Sequence, residues 1–147
     1  MLMVVMAAVF LVVATGILHY EVLRGLNTRL PGLAMPDRFK LLVVIGVAFV
    51  AHALEILLYG VAVYLLVGHY GAGDLAGASG SLFSACLYFS AETYTSLGFG
   101  DVTPTGPVRL LAGVEALNGL LLIGWTASFT YISMERFWSA RGTGGGS

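Results

Sequence analysis

Charge is what this chain has least of. Of its 147 residues only 10% are Asp, Glu, Lys or Arg, and 58% are hydrophobic. A soluble domain carries about 25% charged residues, and the mean hydropathy here is +0.90. The shortfall implies that lipid faces much of the surface. Seven basic against eight acidic residues leave a formal net charge of -1, so nothing points to nucleic acid as a partner. Cysteine is almost absent. Cys86 stands alone in an apolar run, which excludes an intrachain disulfide and fits a small buried side chain. No basic residue precedes the first apolar run, and no small-x-small cleavage pattern closes it. A retained membrane helix is therefore expected, not a secretion signal. That run also lacks the arginine ladder of a voltage sensor.

What is present is a set of long apolar runs in a chain of one-domain length. Residues 2–18 hold no charge, and their helix is expected to continue to Leu26. Residues 40–67 form a second run, broken after Lys40 only by His52 and Glu55. Residues 107–138 hold a third, opened by Pro107, which suits a first helical turn. At 1.5 Å per residue, about 27 residues measure roughly 40 Å, enough to cross a 30 Å core with tilt. Arg24, Arg29, Arg38 and Lys40 cluster between the first two runs, and Arg136 and Arg141 follow the third. The positive-inside rule then puts the 27–39 loop and the C-terminus in the cytoplasm and the N-terminus outside, in a multi-pass protein of the cell membrane. The expected organisation is an N-terminal helix over 1–26, an outer helix over 40–67 and a glycine-rich turret over 68–80. A short re-entrant helix over 81–93, a polar loop over 95–101, the inner helix over 107–138 and a flexible tail over 139–147 complete it. With the last turns unanchored by any domain, no cytoplasmic ligand domain or soluble partner is expected.

The loop between the last two runs carries the chemistry. Thr95-Ser-Leu-Gly-Phe-Gly-Asp101 is polar and glycine-rich at a depth where lipid does not tolerate irregular backbone. Such backbone survives in a membrane only where protein buries it or where it lines a water-filled path. Gly98 and Gly100 take positive φ at little cost, so successive carbonyls can turn one way. The stretch Ser90-Ala-Glu-Thr-Tyr-Thr-Ser-Leu-Gly-Phe-Gly-Asp101 resembles, without gaps, the pore-helix end and filter of potassium channels, whose filter reads Thr-Val-Gly-Tyr-Gly. Val102-Thr103-Pro104 is similar to the exit strand that follows. The resemblance covers residues 81 to about 135.

It implies an all-α membrane protein assembled as a fourfold homotetramer, since one loop per chain cannot close a ring. Thr95, Ser96, Leu97, Gly98, Phe99 and Gly100 would form the filter. K⁺ would be held by the carbonyls of Ser96, Leu97, Gly98 and Phe99, with no organic cofactor. Three residues depart from the family pattern: Ser96 stands where threonine is usual, Phe99 replaces tyrosine, and Leu97 replaces valine, a change expected to be nearly neutral because that side chain points away from the ion. Phe99 is expected to point away from the ion path into the pore-helix packing. By resemblance Glu92 and Asp101 form a carboxyl–carboxylate pair behind the filter. The alternative is that Asp101 faces outer solvent and Glu92 finds a different donor. Gly119 falls near the bend of a pore-lining helix, as a hinge or as a close-packing position. With that phase, Ile123, Ala127 and Tyr131 recur toward the inner mouth.

His52 and Glu55 share one helical face, and Glu115 and Asn118 repeat the spacing. Ionisable residues within a membrane face protein or water. These four act either as a proton-sensitive coupling between helices or as a hydrogen-bond cluster that holds them. A metal site is not expected, because no sufficient ligand set is visible. His19 and His69 are expected as solvated interfacial histidines, and Trp125, Trp138 and Tyr20 as packing or interface anchors.

The function implied is passive, potassium-selective conduction, background or gated at the filter, and not an enzymatic activity. A non-selective cation channel of the same fold, or a non-conducting scaffold or auxiliary subunit, is the alternative. Gly77-Ala-Ser-Gly80 resembles the nucleophile motif of rhomboid intramembrane proteases, but all three histidines precede Ser79, whereas that family needs a later base.

Overall fold

The computed structural model describes residues 1–142, with side chains up to Arg136. The expected tail at 139–147 and the anchoring role of Trp138 lie outside the described side chains. Four α-helices, a short 3-10 turn at Leu30–Gly32 between the first two, and a two-stranded ribbon follow among the described residues in the order α1 (Leu2–Arg29), α2 (Asp37–Gly68), β1 (Asp74–Ala76), α3 (Leu82–Tyr94), β2 (Thr103–Thr105) and α4 (Val108–Gly142). Among the described residues, three helices are long and apolar enough to cross a membrane: Leu2–Gly32, Asp37–Gly68 and Val108–Arg136. The protein is an all-α membrane protein.

Each spanning helix buries one narrow stripe. On α1 it is Val4, Ala8, Leu11, Thr15, His19, Leu23 and Leu26. On α2 it runs Val44, Ala48, Ala51, Glu55, Tyr59, Val63 and Leu66, and on α4 through Val108, Leu111, Glu115, Asn118 and Leu122. Steps of three and four keep each stripe on one face of a 3.6-residue helix. The polar residues sit within these stripes, so they meet each other and not lipid. Large apolar side chains such as Phe10, Phe49 and Leu121 occupy the outer faces. α1 outlasts its apolar run by eleven residues, because Thr15 and His19 are partnered inside the bundle and the helix need not stop where hydropathy falls. Arg136 Nη1 donates to Asn27 Oδ1 at 2.8 Å, which ties the C-terminal part of α4 to the end of α1.

α3 is too short to span. The Ser81 hydroxyl caps it, accepting from Ser84 N–H at 3.2 Å. At the opposite end of the bundle from Arg136, β1 and β2 pair antiparallel in the register Asp74↔Thr105, Leu75↔Pro104 and Ala76↔Thr103. Composition alone did not mark this ribbon: three residues carry no readable alternation, and glycine surrounds them. Proline is tolerated at 104 because a two-stranded ribbon leaves it a free edge. Val108 N–H donates to Ala72 O at 3.0 Å, so the first turn of α4 is pinned to the turret.

Candidate functional site

α3 ends in a Schellman motif. Leu97 N–H donates to Glu92 O at 2.9 Å and Ser96 N–H to Thr93 O at 3.0 Å. The residue at the turning point of that motif takes a left-handed conformation and is usually glycine. Here it is Ser96, with φ of 57°, at a cost of about 1–2 kcal/mol for a residue with a Cβ. Gly98 follows at φ 54° and Gly100 at φ 79°. Residues of positive φ thus alternate with Leu97 and Phe99, whose φ is not positive. Among the described residues, the carbonyls of Ser96, Leu97, Gly98 and Phe99 accept no hydrogen bond within the chain. Four consecutive acceptors are left unspent. The Thr95 hydroxyl is turned back, donating to Ala91 O at 2.7 Å.

The loop is braced from one side. Phe99 N–H donates to Glu92 Oε1 at 2.9 Å, and Glu92 is buried. Asp101 is exposed and accepts from the Tyr88 hydroxyl, at 3.2 Å to Oδ1 and 3.1 Å to Oδ2. The two carboxylates therefore do not form the pair that the resemblance implied. A backbone amide is the donor to Glu92 and a phenol the donor to Asp101. Tyr88 was not read from the sequence as part of this arrangement, although its position four residues before Glu92 puts both on one face of α3. Phe99, expected in the pore-helix packing, is instead 68% exposed, and Leu97 is 58% exposed. Neither finds cover within its own chain.

Behind α3 the stripes of the three long helices join in a buried polar network. Glu55 is its centre. His19 Nδ1 lies 2.9 Å from Glu55 Oε1 and His52 Nδ1 3.0 Å from Glu55 Oε2. The Tyr94 hydroxyl donates to Glu55 Oε2 and lies 2.9 Å from His52 Nδ1. Thr126 Oγ1 meets both rings, 2.9 Å from His52 Nε2 and 3.1 Å from His19 Nε2. His19, expected at a solvated interface, is fully buried, with Trp125 against its ring at a centroid distance of 5.4 Å. The missed signal was its phase, four residues after Thr15 and four before Leu23. Together, His19, His52 and Glu55 offer three possible ligand atoms within 4.8 Å of one another, a grouping that spacing along α2 alone did not bring together.

Glu115 and Asn118 belong to separate branches. Ser90 Oγ donates to Glu115 Oε1, while Glu115 Oε2 has no partner among the described residues. Asn118 Nδ2 donates to Thr15 Oγ1 at 2.8 Å and to Tyr59 OH at 3.1 Å, joining α4 to α1 and α2. The four residues grouped by spacing thus form three contacts sets on one wall.

The expected line along α4 divides. Gly119 is buried against Tyr94, and a Cβ there would overlap the Tyr94 carbonyl. Ile123 packs against the apolar core of the same chain. Ala127 and Tyr131 are exposed. A four-residue step advances 40° too far per turn, so a line begun at Gly119 winds from the interior to the outer face. The exposed face near the middle of α4 instead carries Gly113, Leu117, Leu120 and Gly124.

Comparison with known proteins bears on the family of the chain. A family model described as ion channel matches residues 51–136, which covers more than half of the chain. Protein LctB of Geobacillus stearothermophilus is 38% identical over 61 residues, 42% of this chain and 46% of that protein. Protein LctB of Bacillus caldotenax is 48% identical over 42 residues, 29% of this chain and 31% of that protein. The matched stretches span less than half the length of these curated relatives. No solved structure matches the chain. By the match over α2, α3, the loop and α4, the chain belongs to the ion channel family.

Proposed function

We propose that this chain is one subunit of a potassium-selective channel, four copies of which surround a common axis. The observation that carries this reading is the run of four unspent carbonyls, from Ser96 to Phe99, on a backbone with positive φ at Ser96, Gly98 and Gly100. Such carbonyls replace the water shell of a dehydrated K⁺ when four strands face one another. A closed ring needs symmetry-related copies, and the uncovered side chains of Leu97 and Phe99 support neighbours that pack behind the loop. In this reading Thr95 to Gly100 form the filter, and Glu92 and Asp101 hold it through Phe99 N–H and Tyr88. The exposed Ala127 and Tyr131 lie toward the inner mouth. The basic residues at 24, 29, 38 and 40 support a cytoplasmic first loop and an outer turret. Conduction is passive and continuous or gated at the filter, because no charged ladder lies on α1.

The test is ion flux from purified protein in liposomes, with potassium and sodium gradients compared and barium as blocker. The expected result is barium-sensitive flux that strongly prefers potassium. Equal fluxes of the two ions would leave a cation channel whose filter Ser96 and Phe99 have loosened. No flux from verified tetramers, at any pH or potassium concentration tried, would remove conduction altogether and favour a scaffold.

A further inference from the structure

All three spanning helices and the end of α3 meet around Glu55, and the cluster there is one positive charge short. Four contacts close a cycle: Glu55 with the Nδ1 of His19 and of His52, and Thr126 Oγ1 with the Nε2 of each ring. Each contact needs one hydrogen. Two neutral imidazoles and one threonine hydroxyl supply three. The Tyr94 hydrogen cannot fill the gap: whether it goes to Glu55 Oε2 or to His52 Nδ1, it lies on none of the four contacts. Every assignment with neutral rings and an ionised carboxylate therefore leaves two lone pairs face to face at 3.1 Å or less.

One arrangement removes the conflict without an extra proton. Thr126 Oγ1 has two lone pairs and can accept from both Nε2–H groups. Both Nδ1 lone pairs then point at the carboxylate, where a cation between them satisfies all three residues. A ligating histidine usually donates its other ring N–H to an oxygen that fixes its tautomer, and Thr126 stands in that position for both rings. Two imidazoles and a carboxylate suit borderline divalent transition metals. The Nδ1–Oε separations of 2.9 and 3.0 Å are a few tenths short of the roughly 3.3 Å between neighbouring ligands of a tetrahedral zinc site. Small side-chain rotations would open that gap. His52 is the partly exposed member of the three.

We propose that His19, His52 and Glu55 bind one Zn²⁺-class divalent ion per chain, with Thr126 as shared outer support and Tyr94 OH adjacent to the ion. The ion would link α1 to α2 and touch the last residue of α3, immediately before Thr95. Metal would thus reach the loop through Tyr94 without entering the ion path.

The test uses the full-length protein in detergent, stripped with a chelator and titrated with Co²⁺. One equivalent per chain is expected, with visible ligand-field absorption of a four- or five-coordinate nitrogen and oxygen site that Zn²⁺ displaces. Thr126→Val is expected to weaken affinity by about 10–100-fold, His52→Gln by at least as much, and His69→Gln not at all. A wild-type spectrum no different from aqueous Co²⁺ overturns the proposal and assigns the missing charge to a proton. Binding lost with His69→Gln but kept with His52→Gln also overturns it. The wild-type spectrum decides the matter even where a variant fails to fold. It is independent of ion flux, so its failure leaves the conduction reading intact.

Discussion

Gly119 on α4 lies against the backbone carbonyl of Tyr94 on α3, so closely that no side chain fits between them. The helix that follows the loop is docked at this point on the helix that precedes it. Gly119→Ala is expected to force the two apart at a cost of about 1–3 kcal/mol, the usual range for overpacking. Gly113→Ala meets nothing within 4 Å, and by helix propensity it should stabilise by up to about 1 kcal/mol. Thermal unfolding of the purified assembly distinguishes the two. Equal midpoints would mean that the approach at Gly119 is slack.

Ser96 carries backbone strain that a glycine would not. Ser96→Gly is expected to gain roughly 1 kcal/mol in stability while losing a hydroxyl beside the unspent carbonyls. In liposomes the potassium-to-sodium flux ratio should fall as the unfolding temperature rises. A variant with unchanged selectivity would show that only the backbone, and not the hydroxyl, matters at this position.

Glu92 and Asp101 are expected to behave differently because their donors differ. Glu92→Ala strips the half-buried Phe99 amide of its acceptor, a loss of about 1 kcal/mol. Glu92→Gln keeps a carbonyl oxygen there and should preserve flux and selectivity. Tyr88→Phe removes only the exposed bond to Asp101, so stability should move by about 1 kcal/mol or less, with the effect confined to the decay of flux over time. If the alanine and glutamine variants at 92 lose selectivity alike, the charge and not the hydrogen bond is what the loop requires.

Asn118 joins α4 to Thr15 and Tyr59. Asn118→Leu removes both bonds and leaves two buried hydroxyls to find other partners. Thr15 already donates to Leu11 O at 2.8 Å, so the main loss falls on Tyr59, on the order of 1–2 kcal/mol. Protease access to the segment between α1 and α2 should rise. Unchanged digestion would show that α1 is held mainly by its apolar contacts.

The spanning helices and the re-entrant α3 were legible in the sequence because long apolar runs and a short capped one leave few alternatives in lipid. The loop was legible for a similar reason, since Gly98 and Gly100 are costly to place in a membrane unless their backbone freedom is used. Side-chain partners were harder to read. His19 follows the end of an uncharged run and so looked interfacial, and only the Thr15–His19–Leu23 phase marks it as buried. Tyr88 looked like one more aromatic of an apolar helix. Whether Glu92 meets Asp101 or an amide depends on a few ångströms of loop curvature that no spacing encodes. The β1–β2 ribbon depends on partners far apart in sequence, with Leu75 and Pro104 paired at its centre, and too little pattern in either strand to reveal it.

The burial of His19 against Glu55 has a consequence for how the protein is made. α1 leaves the ribosome before α2, so His19 is already in the bilayer when a helix bearing a carboxylate must enter it. Alone, α2 would carry Glu55 into hydrocarbon with only His52 beside it, at an insertion cost of a few kcal/mol. α1 is thus expected to act as an escort during biogenesis, lowering the barrier to insertion of its successor. Replacing His19 with leucine should reduce the fraction of α2 that inserts during synthesis into microsomes, even though α1 itself becomes more apolar.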